Sequence, residues 1–298
     1  MRHDARSGRA AARLALVLAG LASAGLASAL EWPLDAARPP ATFGTPARGR
    51  FVAGIALASD AALVRAAGEG ELVYFRDDPG AATRLPSTLG SFAVVEHERG
   101  LAGVYAGLAP GSVSSYLGKV KGGQILGAAG ASGWTEGAGL FFSLYDRGAA
   151  RWVNPYLLLP RLKDVTPPNI RSAALVREGK SYVLGETKSV RQGGYAIAVD
   201  IADPLDAPWS AGAPAPFYVR LVVDGAKIAE LRYDIAEGRK GSLFLFPEAP
   251  RSREAYLAPD GRAILAERTF TRGRSTIEIL VRDFAGNERA ATWVVGVE

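Results

Sequence analysis

Cysteine is absent from the 298-residue chain, and histidine occurs only twice, as His3 and His97. Without cysteine the protein forms no disulfide bond and has no thiolate with which to bind a metal ion. It also lacks the lipidated cysteine that a bacterial lipoprotein needs. The scarcity of histidine excludes any site that needs several imidazole groups. Beyond the first few residues only His97 remains, so at most one Ser-His-Asp triad is possible there.

The first 29 residues have the composition of a secretory signal peptide. A basic region with four arginines precedes the apolar stretch LALVLAGLASAGL, and the tripeptide ASA at 27–29 is typical of a cleavage site. The apolar stretch is short for a transmembrane helix. We therefore expect an exported protein of the periplasm or cell envelope, with no transmembrane helix after removal of residues 1–29. Retention of this segment as a membrane anchor is the alternative.

The charge of the mature chain argues against a nucleic-acid-binding protein. The predicted signal peptide, with four Arg and one Asp, contributes +3 of the formal net charge of +5. The remainder is nearly neutral, and it has no basic patch interleaved with aromatic residues. We expect no nucleic-acid partner.

The pattern of apolar residues predicts an all-β fold. Short apolar runs alternate with Gly, Pro, Asp and Ser clusters, and the chain contains 35 Gly and 18 Pro. The proline-containing stretch PRLKDVTPPNI separates two blocks of such runs. The second block, with about eight strands that alternate at period two, indicates an immunoglobulin-like β-sandwich. The predicted organisation is a lead-in at 30–44, a first β domain at 45–160, a linker at 161–168 and the sandwich at 169–298.

Seven short motifs follow one another in the first β domain. They are FVAGIAL at 51–57, VRAA and GELV at 64–73, VVEHERGL at 94–101, VYAGL at 104–108, VKG and ILGAAGASG at 120–133, GLFFS at 139–143, and NP at 154–155. In this order they resemble the motifs of LytM-type (lysostaphin-like) zinc endopeptidases of bacterial cell walls. The resemblance covers about a third of the chain, and it implies an antiparallel β domain with a duplicated hybrid motif.

The resemblance also implies where a zinc site would lie. LytM-type enzymes bind zinc with two His and one Asp, and a further His lies near the metal-bound water. The aligned metal positions here are Val52, Ala56 and Phe141, and the aligned catalytic His positions are Gly107 and Gly139. None of these side chains can ligate a metal or transfer a proton. We therefore expect a degenerate domain with no zinc, no other cofactor and no catalytic residue.

Tyr105, Trp134 and His97 are the candidate residues of a binding groove at the former active site. Aromatic side chains can contact a glycan or a peptide, although on a strand they also commonly pack in the core. Trp134 is the best surface candidate, because the loop sequence TEG follows it. His97 at a strand end either contacts a ligand or forms a hydrogen bond to the backbone.

The stretch VDIADPLD has three aspartates, Asp200, Asp203 and Asp206, at a spacing that could bind Ca²⁺. Pro204 and the absence of an Asp-x-Asp-x-Asp-Gly pattern favour turn-forming aspartates instead.

These observations together predict a non-catalytic LytM-like protein of the cell envelope. Its partner would be peptidoglycan or a cell-wall hydrolase. The regulatory form of this hypothesis rests on the resemblance, because family members without zinc ligands activate cell-wall amidases. One alternative is an active zinc metalloendopeptidase of the cell wall, which the missing ligands disfavour. The other is a purely structural envelope module that interacts through the sandwich.

Overall fold

The computed structural model describes residues 30–35, 42–47, 49–59, 61–78, 87–133, 137–161, 163–203 and 216–298. The predicted signal peptide and Trp134 lie outside these ranges. The described chain is nearly all β-strand, which confirms the predicted fold class. No helix in these ranges has the length and the apolar character that crossing a membrane requires.

The strands are short and follow the predicted alternation of apolar and polar residues. Those of the N-terminal half are β1 (Pro46–Ala47), β2 (Arg50–Phe51), β3 (Ile55–Ala58), β4 (Leu63–Arg65), β5 (Gly70–Arg76), β6 (Ser91–Glu96), β7 (Leu101–Leu108), β8 (Gly118–Val120), β9 (Ile125–Ala128), β10 (Gly139–Asp146) and β11 (Arg151–Val153). Those of the C-terminal half are β12 (Asn169–Arg177), β13 (Lys180–Val183), β14 (Ser189–Val190), β15 (Gly193–Ala202), β16 (Tyr218–Val223), β17 (Ala226–Arg232), β18 (Ile235–Arg239), β19 (Ser242–Leu245), β20 (Ala263–Phe270), β21 (Gly273–Arg282) and β22 (Glu288–Val297). The helical segments are the 3₁₀ turns Glu98–Gly100 and Pro155–Leu157 and the single-turn helix α1 (Arg253–Tyr256).

A nine-stranded antiparallel sheet dominates the N-terminal half. Its strand order is β19-β18-β11-β10-β7-β6-β5-β8. The ninth strand, β3, pairs with the first half of β10, whereas β11 pairs with the last residues of β10. Strands β4 and β9 form a separate two-stranded sheet. The antiparallel pairing agrees with the β domain that the resemblance implies.

One face of the nine-stranded sheet is buried in a hydrophobic core. Ile55, Tyr105 and Phe142 lie in this core together with Val64 of β4 and Leu126 of β9. Because successive side chains of a strand point to opposite faces, the sequence neighbours of these residues point to the other face. Each such large side chain contributes about 1.5–3 kcal/mol of burial free energy.

Two further sheets make up most of the C-terminal half. One has the order β13-β12-β15-β20, and the other has the order β14-β22-β21-β16-β17. Leu175 and Ile197 of the first sheet share a hydrophobic core with Leu221, Ile279 and Val295 of the second. Two sheets around one core have the layering expected of a β-sandwich, and the immunoglobulin-like assignment stays a prediction.

The two halves of the chain share a sheet and a core. The sequence places SLFLFP in the predicted sandwich, but β18 and β19 instead extend the nine-stranded sheet, where Ala236 lies opposite Trp152 of β11. Conversely, Phe43 and Phe51, which precede the strands of the N-terminal sheet, pack in the C-terminal core with Tyr233. Local alternation predicts a strand but not its partner. The domain boundaries at 45–160 and 169–298 stay a prediction. The hydrogen-bonded pair of β11 and β18 joins residues from the two predicted domains.

Candidate functional site

Two of the three residues aligned with zinc ligands lie on the face of the nine-stranded sheet that points away from its core. Ala56 of β3 is directly opposite Phe141 of β10, which is directly opposite Ala106 of β7. Directly opposite residues of antiparallel strands point to the same face, with Cβ atoms about 4.5–5.5 Å apart. Val52 lies just before β3, where its N–H donates to the carbonyl of Thr45 at 2.9 Å. The fold thus brings Ala56 and Phe141 together and places Val52 in the segment that leads to them.

The ring of Phe141 packs against the segment between Val52 and Ala56. A Cβ atom placed on Gly54 would lie 2.9 Å from Cζ of Phe141 and 2.7 Å from Cβ of Ser143, which is closer than real side chains come. Glycine at position 54 is therefore needed for this packing. Phe141 is half-buried. Val52, Ala56 and Phe141 offer no lone pair, so the side chains at these positions do not fit a zinc ion.

Close backbone contacts surround both aligned catalytic His positions. The N–H of Gly130 points to the carbonyls of Gly107 at 3.0 Å and Gly139 at 3.2 Å. Gly107 has a φ of 81°, a conformation that favours glycine. A Cβ atom on Gly139 would collide with the carbonyl oxygen of Leu57 on β3. A side chain at position 139 would therefore force β3 and β10 apart.

Tyr105 lies in the core rather than in a groove. It is 0% exposed, and its ring centroid is 5.0 Å from that of Phe142. Its hydroxyl accepts a hydrogen bond of 2.8 Å from the N–H of Ala67. Burial raises the pKa of this hydroxyl, and the hydrogen bond opposes the shift. The prediction of Tyr105 as a groove residue is wrong, because on β7 it is Ala106, and not Tyr105, that points to the same face as Phe141.

His97 is also buried, at 7% exposure, and it lies away from the aligned metal positions. Its Nδ1 is 2.9 Å from the carbonyl oxygen of Glu69. A carbonyl only accepts hydrogen bonds, so Nδ1 carries the proton in the neutral ring, while Nε2 is buried without a partner. Burial lowers the pKa of His97. The residue follows β6, and its N–H donates to the carbonyl of Leu101 at the start of β7, about 17 Å along that strand from Ala106. A role in the groove is therefore wrong, and the alternative, a strand-end histidine bonded to the backbone, is confirmed.

The face that carries Phe141 has further aromatic side chains. Phe92 of β6 lies directly opposite Ala106, and its ring centroid is 5.5 Å from that of Tyr74 on β5. Tyr74 is 52% exposed, whereas Phe92 is half-buried. The alternation in SFAVVE, which buries Ala93 and exposes part of Phe92, is the sequence signal for this arrangement. We call the partly exposed set the aromatic face, and it consists of Tyr74, Phe92, Val94, Val104 and Phe141.

The aspartates of VDIADPLD do not form a common site among the described residues. The carboxylate of Asp200 accepts a hydrogen bond of 2.6 Å from the guanidinium of Arg171. Asp203 is buried and lies instead beside Asp164 and Asp283. Asp206 lies outside the described ranges.

Comparisons with known proteins agree with this geometry. Residues 50–155 match the family model described as peptidase family M23, and a second family model, which carries no description, matches residues 167–298. No curated protein is significantly similar to the chain.

Several solved structures resemble part of the chain. A zinc-containing peptidase from Vibrio cholerae is 26% identical, with 42% of this chain and 39% of that chain covered and a TM-score of 0.35. The catalytic domain of the prophage-encoded M23 protein EnpA from Enterococcus faecalis, in a mutant form, is 22% identical, with 43% and 95% covered and a TM-score of 0.35. A chain of the SpoIIQ-SpoIIIAH pore-forming complex is 24% identical, with 44% and 90% covered and a TM-score of 0.36. The family-model match identifies residues 50–155 as a domain of the peptidase family M23 (LytM) type, and a second domain follows it.

Proposed function

We propose that this chain is a non-catalytic M23-type protein of the cell envelope that binds peptidoglycan or regulates a cell-wall hydrolase. The observation that carries the proposal is the chemistry of the aligned metal positions. Val52, Ala56 and Phe141 have no donor atoms, and the Phe141 ring packs against the segment between the other two. The only histidine in residues 30–298 is buried and remote from them.

The apolar side chains at the aligned metal positions also avoid a free-energy cost that unoccupied metal ligands would have. A buried metal ligand without its metal would be an unsatisfied polar group and would cost about 1–3 kcal/mol. Small and apolar residues at these positions avoid that cost.

The aromatic face supports a binding role. Binding sites for small ligands are typically lined by aromatic and apolar side chains, and Tyr74, Phe92 and Phe141 form such a lining beside the former metal position. A glycan or a wall peptide could lie across these rings, because β5, β6, β7 and β10 are consecutive neighbours in the sheet.

The test uses the purified protein from residue 30 onward. Sedimentation with purified peptidoglycan measures binding, and an amidase or endopeptidase assay with and without the protein measures regulation. We expect Tyr74→Ser to weaken retention or stimulation about tenfold, equivalent to about 1.4 kcal/mol. Tyr116→Ser is the matched control, because Tyr116 is 58% exposed and lies outside the aromatic face.

Two results would refute the proposal. If the protein is neither retained by peptidoglycan nor able to change hydrolase activity, both forms of the proposal fail. If the pure protein cleaves peptidoglycan in a chelator-sensitive manner, it is an active peptidase. The envelope location rests on the predicted signal peptide, and cell fractionation with detection of the processed N-terminus tests it.

A further inference from the structure

Three aspartates converge where the linker meets the C-terminal half. Asp164 belongs to the linker, Asp203 follows β15, and Asp283 follows β21. One carboxylate oxygen of each lies within 4.8 Å of the other two. Within the described ranges this is the only group of three or more side chains with metal-binding chemistry. Carboxylates this close repel one another when ionised, so their convergence calls for a compensating charge.

Asp203 has a buried carboxylate oxygen without a hydrogen-bond partner. This oxygen is Oδ1, and the residue is 3% exposed. Neither Asp203 nor Asp283 forms an ion pair with Lys or Arg in the part of the chain that the structure describes. A buried ionised carboxylate with an empty acceptor position is costly unless a cation binds it or a proton neutralises it.

The loops hold the other two carboxylates in place. Oδ1 of Asp283 accepts hydrogen bonds from the N–H groups of Gly286 at 2.7 Å and Asn287 at 2.8 Å. The side-chain amide of Asn287 donates to Oδ2 of Asp283 at 2.8 Å and to the backbone carbonyl of Asp164 at 3.2 Å. Asp164 in turn accepts the N–H of Thr166 at 2.9 Å. Asn287 therefore joins the two loops that carry these carboxylates.

A side chain that directly follows the M23-type domain lies near this group. Tyr156, in the 3₁₀ turn after β11, stacks on Phe284 with ring centroids 4.6 Å apart. Its hydroxyl is a second buried oxygen without a hydrogen-bond partner. Burial raises the pKa of this hydroxyl, and the nearby charges of Asp203 and Asp164 raise it further. The end of the M23-type domain, the linker and the C-terminal half thus approach one another near this group of oxygen atoms.

We propose that Asp164, Asp203 and Asp283 bind a Ca²⁺ ion that fixes the linker to the loops after β15 and β21 of the C-terminal half. Three carboxylates without nitrogen or sulfur donors suit a hard cation. Ca²⁺ binds oxygen at about 2.3–2.6 Å, so two ligands on opposite sides of it are about 5 Å apart. Mg²⁺ needs shorter bonds, with opposite ligands about 4 Å apart, in a strict octahedron. The three ligands come from irregular loops, which suit the flexible coordination of Ca²⁺ better than the strict octahedron of Mg²⁺.

The experiment compares metal binding and thermal unfolding in the metal-free protein. Calorimetric titration with CaCl₂ should show one ion per chain, and Ca²⁺ at ten times its dissociation constant should raise the folded-to-unfolded ratio about 11-fold. Asp203→Asn should abolish both effects. In chelator, the same variant should unfold at or above the wild-type temperature, because the amide removes the repulsion with Asp164 and Asp283. Asp200→Asn, a matched change on β15 at a residue paired with Arg171, should respond to Ca²⁺ like the wild type.

Three results would overturn the proposal. The first is no heat and no stabilisation at about 10 mM CaCl₂, a concentration above the weakest usual protein sites. The second is equal stabilisation of Asp203→Asn and the wild type. The third is failure of Asp203→Asn to fold in chelator, which would give Asp203 a structural role without a cation. Tb³⁺ luminescence excited through aromatic residues offers a separate readout, and it should fall when Ca²⁺ is added and be weaker in Tyr156→Phe.

Discussion

The hydroxyl of Tyr105 offers the sharpest test of which face of β7 serves binding. Tyr105→Phe keeps the ring and its contact with Phe142, and it removes only the acceptor of the Ala67 N–H. That N–H is buried and would lose its partner. The expected loss in the free energy of unfolding is therefore about 1–3 kcal/mol. At about 2–4 °C per kcal/mol for a unit of 150–250 residues, the unfolding temperature should fall by about 2–12 °C.

Thermal and urea unfolding measure this loss, and peptidoglycan sedimentation at a temperature where both proteins are folded measures binding. Tyr74→Phe is the control for stability, because the Tyr74 ring is half-exposed and the change should stay within about 0.5 kcal/mol. We expect Tyr105→Phe to lower stability and leave binding unchanged. Unaltered stability together with weaker binding would refute the placement of Tyr105 in the core and restore it to the groove.

Further predictions concern the former metal site and the one buried imidazole. The triple variant Val52→His, Ala56→Asp and Phe141→His should bind about one Zn²⁺ per chain in metal analysis, whereas the wild type should bind almost none, because the strand register already places two of the positions opposite each other. Absence of zinc in the folded triple variant would show that the backbone at these three positions does not have the geometry of a zinc site. Gly139→Ala should lower the unfolding temperature strongly, since its Cβ would meet backbone of β3, and an unchanged temperature would contradict the close strand approach. In the protein from residue 30 onward, NMR titration should show a single imidazole with a pKa below 6.5, because burial lowers the pKa of His97. Its contribution to stability is present above pH 6.5 and is lost as the pH falls through the folded-state pKa, so a titration at or above 6.5 would contradict its burial.

The fold class and the location of the aligned metal positions could be predicted from the sequence. Period-two alternation marks the strands, and the ordered motifs identify Ala56 and Phe141 as aligned metal positions. That the two lie on neighbouring strands is seen only in the structure. The alternation fails for VYAGL, where nearly every side chain is buried in the structure. A strand buried on both faces does not reveal which residue faces a groove, and this is why Tyr105 is predicted on the wrong face. Phe92 is missed although SFAVVE on β6 does alternate.

Long-range partners could not be predicted in this way. The segment around β19 reads as a strand, but no local pattern says that it joins a sheet from the other half of the chain. Asp164, Asp203 and Asp283 are likewise far apart in the sequence, and each occupies an ordinary turn-forming context. Their meeting depends on how the linker packs against the ends of β15 and β21, which only the tertiary structure defines.

The pairing of β18 with β11 makes the two halves mutually dependent. A fragment ending near residue 160 would leave the backbone of Arg151–Val153 without its neighbouring strand, and an unpaired strand edge invites aggregation. The same truncation would expose Phe43 and Phe51 to solvent, because the core in which they are buried belongs to the C-terminal half. We expect neither half to fold stably and stay soluble when expressed alone. An exchange of one half between homologous proteins would have to keep the β18–β19 hairpin together with the M23-type half.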